Sequence, residues 1–133
     1  MAREVIHTDS APSSPLYAQA VRAGDTIYVS GMVGVDAATG QLAGPTVGDQ
    51  LRQAVANCAA VLDAAGASLD DVAEVGLLLT HSEDFPALNA AWAELFAPDP
   101  PARFVLTRTT ANAPPPTTFA APVVTRPRTS APR

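Results

Sequence analysis

The sequence is short of lysine, cysteine and histidine, and each shortage removes a class of chemistry. All eight basic residues are arginine, so no lysine can form a Schiff base or hold phosphates in a P-loop. The one cysteine, Cys58, excludes an internal disulfide framework, and we interpret it as a small apolar helix residue. His7 and His81 lie far apart and fit no ligand motif. We therefore expect no metal site.

Long apolar runs and aromatic residues are also scarce. No stretch approaches the roughly 20 apolar residues that span a bilayer, and no basic segment followed by an apolar run stands at the N-terminus. Aromatic residues make up 5% of a chain that is 47% hydrophobic, so the core must consist of small and aliphatic side chains. We expect a cytoplasmic protein with no membrane association.

Acidic residues are absent from the last part of the chain. All thirteen Asp and Glu residues lie at or before Asp99, whereas five of the eight arginines lie from Arg103 onward. A basic tail can indicate nucleic-acid binding, but the net charge is −5 and the tail lacks interleaved aromatic residues. We expect no nucleic-acid partner.

A chain of 133 residues has the usual length of one domain. We expect a single domain over residues 1–125 and a loose tail over 126–133. Short β-type runs at 5–8, 17–23 and 26–31 predict three strands, the last two joined by a tight turn at Gly24-Asp25. A further turn is expected at 36–40.

Two helical patterns follow these strands. Between Val47 and Ala65 the apolar residues recur every three or four positions, and Gly66 suits the position just after a helix end. A second pattern spans 85–96, with Ser82 as its expected N-cap. Its apolar stripe consists of Leu88, Ala91, Trp92, Leu95 and Phe96. The apolar run at 72–80 between them predicts a buried strand.

The C-terminal region predicts two more strands, at 104–108 and 117–125. Pro122 interrupts the second, and nine of the thirteen prolines lie beyond residue 97, so we expect an edge strand or a poorly formed one. The resulting order is β-β-β-α-β-α-β-β, with two helices that could cover one face of a sheet. This order predicts an α+β fold.

Short motifs stand in a specific order along residues 5–108, and no single one is decisive. They are Ala11-Pro12, Pro15-Leu-Tyr17, Ala23-Gly-Asp-Thr-Ile-Tyr-Val-Ser-Gly31, the turn from Asp36 to Gly40, Gln50-Leu-Arg-Gln-Ala-Val-Ala-Asn57, Leu62-Asp-Ala-Ala-Gly66, Asp84-Phe-Pro-Ala-Leu-Asn89 and Pro101-Ala-Arg103. Together they resemble the Rid (reactive intermediate deaminase) family, also called the YjgF or endoribonuclease L-PSP family.

The resemblance implies a chorismate-mutase-like (YjgF-like) fold, with a mixed sheet covered on one face by two helices. It also implies a homotrimer with three clefts between neighbouring subunits. Deaminating members hydrolyse small 2-imino acids, which form when dehydratases act on serine or threonine, to 2-keto acids and ammonia. The resemblance implies no cofactor.

The same resemblance assigns candidate site residues. Arg103 would hold the substrate carboxylate, because a guanidinium matches it with two parallel hydrogen bonds. Ser30, Asn89 and Tyr17 would offer side-chain hydrogen bonds, with Tyr17 also a candidate catalytic residue, and Gly31 would expose its backbone at the cleft. Each has a structural alternative: a surface ion pair for Arg103, a strand end for Ser30-Gly31, a local helix bond for Asn89 and a core or rim position for Tyr17.

Two positions depart from the family pattern. Deaminating members carry a cysteine two residues after the arginine and a glutamate fifteen residues after it, but here those positions hold Val105 and Thr118. No carboxylate follows Asp99, so no realignment restores the glutamate. General acid or base help contributes on the order of a hundred- to ten-thousandfold in rate, so we expect hydrolysis to be weakened. His81 is a further candidate proton carrier, although a solvated position is the simpler interpretation.

Three functional hypotheses remain open on the sequence alone. The first is a weak imine deaminase that relies on Arg103 and ordered water. The second is a ligand-binding or regulatory trimer whose cleft binds a carboxylate metabolite without turning it over. The third is a biosynthetic enzyme recruited to non-hydrolytic chemistry.

Overall fold

The structure, a computed structural model, describes residues 2–107 and the backbone of residues 118–125. Its elements follow the predicted order, and the predicted tail at 126–133 lies outside the described residues. In chain order the elements are β1 (Glu4–Ile6), β2 (Ala20–Ala23), β3 (Thr26–Val29), α1 (Val47–Ala64), β4 (Val72–Leu79), α2 (Phe85–Phe96), β5 (Ala102–Thr107) and β6 (Thr118–Thr125).

The six strands form one mixed sheet in the order β1-β2-β3-β6-β4-β5. Only β4 and β5 are parallel, and α2 is the connection between them, as a parallel pair requires. Every other neighbouring pair is antiparallel. The α+β prediction is therefore confirmed, and β5 lies at one edge of the sheet.

Both helices pack on the same face of this sheet. The buried side of α1 includes Leu51, Val55, Cys58 and Leu62, as the sequence pattern predicts, and α2 buries Leu88, Ala91, Trp92 and Phe96. They meet alternate strand residues such as Ile27, Val29, Val75, Leu77 and Leu79 in one apolar cluster. The helices leave the other face of the sheet uncovered.

The uncovered face carries large apolar side chains. Register places Phe104 next to Gly76 and Leu106 next to Leu78, all on the face that α1 and α2 do not cover. Phe104 is 50% exposed and Leu106 58% exposed. Farther across the same face lie Val5 and Tyr28, which are exposed to a similar degree.

Two glycines occupy the positions that the sequence predicts, one in the turn between β2 and β3 and one after α1. Gly24 has a φ of 61° in the two-residue turn that joins Ala23 to its strand partner Thr26. Gly66 has a φ of 75° after α1, where its N–H donates to the Asp63 carbonyl while the Ala67 N–H donates to the Leu62 carbonyl. This pair of bonds is the Schellman ending, which favours glycine at the left-handed residue.

The structure overturns three local expectations. Ser82 does not cap α2, because residues 82–84 form a 3₁₀ turn and Asp84 directly precedes the helix. The second strand begins at Ala20 and not at residue 17, since Tyr17 belongs to a short turn closed by a bridge to Ser14. The last strand, β6, is wrongly predicted as an edge or poorly formed strand: it spans eight residues between β3 and β4.

The proline in β6 is compatible with this interior position. Pro122 pairs with Val75 of β4, but on the other side the pairing with β3 ends at Val123. At Pro122 the strand therefore has only one hydrogen-bonding neighbour, as an edge strand has, which is where proline is tolerated.

The segment between β3 and α1 is held tightly against the helix. Asn57, which is 1% exposed, donates to the carbonyls of Val33 and Val35 at 3.1 and 2.9 Å. Between them, a Cβ on Gly34 would lie 2.5 Å from the Gln50 carbonyl oxygen. Only a glycine permits so close an approach of two backbones.

Gly34→Ala is therefore expected to lower the free energy of unfolding by about 1–3 kcal/mol, the usual range for an added buried methyl group that its surroundings cannot accommodate. Urea denaturation would measure the loss. Gly48→Ala is the matched control: the nearest atom to its added Cβ is the flexible Arg52 guanidinium at 3.2 Å, so it should be neutral or stabilising. Equal stability of the two variants would contradict this account of Gly34.

Candidate functional site

The Arg103 side chain lies against α2 in a defined set of contacts. Its Nη2 atom donates to Asn89 Oδ1 at 2.7 Å. Its Cζ atom lies 5.1 Å from the centroid of the Trp92 ring and 5.8 Å from that of Phe85, which is within the range of cation–π attraction. An amide oxygen and two aromatic rings therefore hold one guanidinium.

These three partners occupy one face of α2 because of their spacing. Phe85, Asn89 and Trp92 are separated by four and three residues, which places them one above another on a helix. Arg103 reaches them from β5, the strand that follows α2. The hydrogen bond and the two ring contacts of Arg103 within the described residues thus all join α2 to β5.

One donor of this guanidinium has no acceptor. Arg103 Nη1 is shielded from water and has no hydrogen-bond partner among the described residues. In that part of the chain Arg103 also has no carboxylate partner, whereas Arg22 pairs with Glu4 and Arg52 pairs with Glu94. An unmet buried donor costs about 1–3 kcal/mol or more when charged, so an incoming oxygen acceptor would relieve this cost.

Tyr17, Ser30 and Gly31 form a second group at the far end of β3. Ser30 donates its hydroxyl hydrogen to the Ala18 carbonyl at 2.5 Å, and its N–H donates to the Gln19 carbonyl at 2.9 Å. Tyr17, which precedes the two bonded residues in the chain, is 51% exposed, and Gly31 is also exposed. The single hydroxyl hydrogen of Ser30 is therefore already used within the chain.

Gln19 fixes the loop that precedes this group. It is 2% exposed, and its amide accepts from the Thr8 N–H at 2.8 Å and donates to the Ala11 and Pro12 carbonyls at 3.0 and 2.9 Å. The loop therefore presents Tyr17 from a hydrogen-bonded support.

The two groups do not meet within one chain. Strands β6 and β4 lie between β3 and β5, so three strand spacings, about 14 Å, separate Ser30 from the strand that carries Arg103. Of the residues that the resemblance assigns, the structure joins Asn89 directly to Arg103. It joins Ser30, which precedes Gly31, to Ala18, the residue after Tyr17. Within one chain, the candidate site residues therefore form two separate groups.

Comparisons with known proteins show which family the chain belongs to. The family model described as endoribonuclease L-PSP matches residues 8–116. A RutC family protein of Pyrococcus horikoshii is 40% identical over 103 residues, 76% of this chain and 81% of that protein. A 2-iminobutanoate/2-iminopropanoate deaminase of Dermatophagoides farinae is 37% identical over 103 residues, 76% of this chain and 80% of its own length. The chain belongs to the Rid family.

The similarity to solved structures extends over nearly the whole chain. The crystal structure of E. coli TdcF with bound serine superimposes with a TM-score of 0.82 and 26% identity, over 93% of this chain and 99% of that chain. The expected YjgF-like fold is therefore confirmed, including the two helices on one face of a mixed sheet.

The remaining candidates of this Rid chain are spread along the sheet. Val105 is partly buried against the core, two residues beyond Arg103 on β5. Thr118 is the first residue of β6 and pairs with Leu79, at the end of β4. Just beyond that end lies His81, partly exposed, with Nδ1 3.1 Å from the Thr80 hydroxyl. Within the described residues, neither Val105 nor His81 forms a hydrogen bond with Arg103 or Asn89.

Cys58 does not contribute a nucleophile to this Rid chain. It is 2% exposed inside α1, and burial raises the pKa of its thiol to about 12. A thiol with that pKa stays protonated and unreactive at neutral pH, which supports the interpretation of Cys58 as an apolar helix residue. Among the described residues, no three His, Cys, Asp or Glu side chains cluster as metal ligands, and no helix there is long and apolar enough to cross a membrane.

Sequence reasoning missed Phe85 and Trp92 as partners of the arginine. It treated Trp92 as part of the apolar stripe and gave Phe85 no role beyond starting the helix. The signal was present, because both stand at helical spacing from Asn89, which the resemblance had already assigned to the site. The spacing does not predict that β5 lies beside α2.

Proposed function

We propose that this Rid protein hydrolyses small 2-imino or enamine carboxylates to 2-keto acids and ammonia. The observation that carries the proposal is the Arg103 guanidinium, which donates to Asn89 and which has an unmet buried Nη1 donor and no carboxylate partner among the described residues. A planar carboxylate supplies the missing oxygen acceptors. The deaminase name of a 37% identical relative and the bound serine of TdcF, itself a small amino-acid carboxylate, support the same substrate class.

The reaction needs only water and proton movement. Water adds to the imine carbon, a C–O bond forms, and the C–N bond then breaks to release ammonia and leave a 2-keto acid. Arg103 contributes by holding the carboxylate beside that carbon, which fixes its orientation relative to the attacking water. The proposal involves no metal and no cofactor.

The proposal includes a homotrimer whose clefts lie between neighbouring subunits. Two observations support it: the group of Tyr17, Ser30 and Gly31 is remote from Arg103 within one chain, and the uncovered sheet face carries large apolar side chains. In the assembled cleft, Tyr17 of one subunit would face the arginine of its neighbour. Its phenol would hydrogen-bond to the substrate and help to move its protons.

A second candidate function follows from one specific feature. Thr118 stands where deaminating members have a glutamate, and no carboxylate follows Asp99 in the sequence. The cleft could then bind a carboxylate metabolite without turning it over, or serve a recruited biosynthetic reaction that is not a hydrolysis. Saturable binding without ammonia release would favour the binding protein.

We place the activity in the cytoplasm. The only cysteine is a free, buried thiol, so the chain carries no disulfide and suits a reducing compartment. Fluorescence microscopy of the tagged protein in its own cells would test this part of the proposal.

The test of the reaction is ammonia release from freshly generated 2-iminopropanoate. We expect the wild type to exceed buffer, and we expect Arg103→Ala to lower kcat/KM by about 10- to 150-fold, because a charged hydrogen bond contributes about 1.5–3 kcal/mol. Arg103→Lys keeps the charge without the two-pronged geometry and should recover only part of the loss.

Binding is measured separately, through the fluorescence of the only tryptophan, Trp92, beside the guanidinium. Titration with pyruvate, the 2-keto acid product, should change this signal in the wild type and change it far less in Arg103→Ala. The deaminase proposal would be wrong if wild type and variant both release ammonia no faster than buffer. Pyruvate binding that is equal in both would defeat the arginine site itself.

A further inference from the structure

The three partners of Arg103 converge on one cation from a single helix face. Asn89 accepts a hydrogen bond in the guanidinium plane at 2.7 Å, and the two rings approach Cζ at 5.1 and 5.8 Å. An acceptor in the plane fixes the rotation of the group, and aromatic rings favour a cation over their faces. The orientation of Arg103 is therefore set before any ligand arrives.

The exposure of Phe85 indicates that the arrangement is more than core packing. Trp92 is 7% exposed and packs on Phe96 with ring centroids 4.3 Å apart, so the core accounts for its position. Phe85 is 38% exposed in the first turn of α2, so burial in the core accounts for little of its placement. Among the described residues, its ring is in cation–π contact with the arginine.

We propose that Phe85, Asn89 and Trp92 form a guanidinium cradle that positions Arg103. Asn89 is then a positioning residue that acts through the arginine, because its amide oxygen accepts the hydrogen bond from Nη2. The role of the cradle in catalysis rests on the proposed carboxylate site, but its affinity for a guanidinium does not. An empty cradle should bind free guanidinium.

The experiment removes the arginine side chain and adds guanidinium back. Arg103→Ala is titrated with guanidinium chloride up to about 100 mM, below the concentrations that unfold most domains, while Trp92 fluorescence is recorded. We expect a saturable change in Arg103→Ala and none in the wild type, whose cradle is full. Urea has a similar planar shape without charge, so it should produce no change.

Cradle variants in the same background identify the contacts. Phe85→Leu keeps apolar volume but removes the ring, and an exposed cation–π contact corresponds to about two- to fivefold in affinity. Asn89→Ala removes the hydrogen bond and should weaken guanidinium binding by about tenfold. Gln53→Ala is the matched control, since Gln53 bonds Asn57 on α1 and lies outside the cradle. It should leave the binding unchanged.

A second readout connects the cradle to the site. Guanidinium should restore part of the pyruvate binding lost in Arg103→Ala, and it should restore much less in Arg103→Ala/Asn89→Ala. A direct contact between Asn89 and the substrate would instead leave the restoration by guanidinium intact and weaken pyruvate binding equally in both backgrounds.

The possible failures are distinguishable. Absence of guanidinium binding to Arg103→Ala, or equal binding to its Asn89→Ala derivative, would reject the cradle even if the deaminase assay succeeds. A wild type that neither releases ammonia nor binds pyruvate would reject the proposed function, and guanidinium binding to Arg103→Ala would still decide on the cradle. Circular dichroism would verify that each variant is folded.

Discussion

Thr118→Glu should raise kcat for imine hydrolysis by on the order of a hundredfold or more, because general base catalysis typically contributes a hundred- to ten-thousandfold. The family resemblance places a glutamate at this position, and the backbone is suitably located. Leu79 of β4 pairs with both Thr107 of β5 and Thr118 of β6, so residue 118 lies on the same stretch of sheet as the end of the arginine-bearing strand.

The backbone separation from the arginine suits a small substrate. Val75 pairs with Arg103 and Leu79 pairs with Thr118, so the two positions are four residues apart along β4, about 13 Å, and two strand spacings apart across it, about 10 Å. The backbone separation is therefore about 16 Å. A glutamate and an arginine could approach a three-carbon acid from its two ends across this distance. The introduced carboxylate would take a proton from the attacking water while Arg103 holds the substrate carboxylate.

The matched control is Thr118→Gln, which has nearly the same size and cannot accept a proton as a base. Steady-state ammonia release at pH 7 should rise for the glutamate variant and not for the glutamine variant. The advantage should also disappear as the pH falls below about 5, because a glutamate with an ordinary pKa near 4.3 then becomes protonated. Equal rates for the two variants would show that the missing glutamate does not limit this protein.

The sequence predicts well those features that depend on residues close together in the chain. The bounds of α2 are predicted correctly, because its apolar stripe repeats at helical spacing and prolines follow it closely. The end of α1 at Gly66 and the turn at Gly24 are also predicted, since each depends on a left-handed backbone conformation that glycine favours. In each case the determining residues lie within one or two helical turns of the feature.

The failures concern contacts between residues far apart in sequence. Proline content predicted an edge position for β6, yet its place between β3 and β4 depends on which strands pair, which local composition does not specify. The site shows the same division. The family resemblance named Asn89 and Arg103, but their 2.7 Å contact and the nearby rings depend on how α2 lies beside β5. The separation of Ser30 from Arg103 likewise appears only in the strand order.

Leu106→Glu should convert the proposed trimer into monomers and abolish most of the proposed hydrolytic activity. Leu106 is 58% exposed on the uncovered sheet face, beside Phe104 on the strand that also carries Arg103. If this face joins the subunits, the substitution would bury a carboxylate against apolar side chains, which is strongly unfavourable for an unpaired charge. Dissociation of the subunits would expose that carboxylate to water again and so remove this cost.

Loss of the trimer should remove activity for a geometric reason. A single chain holds Arg103 about three strand spacings from Tyr17 and Ser30, so a monomer would contain each half of the proposed site but not a complete one. Pyruvate binding should weaken along with turnover. The Arg103–Asn89 contact itself should survive, since it lies within one chain.

Size-exclusion chromatography with light scattering measures the first effect, and the ammonia assay measures the second. The wild type should have a mass near 41 kDa, about three times the 13.6 kDa of one chain, and the variant a mass near that of one chain. Leu42→Glu is the matched control, because Leu42 is 49% exposed in the turn region before α1 and lies outside the sheet. A Leu106→Glu protein that stays trimeric would show that subunits join through another surface, and a fully active monomer would show that one chain forms the whole site.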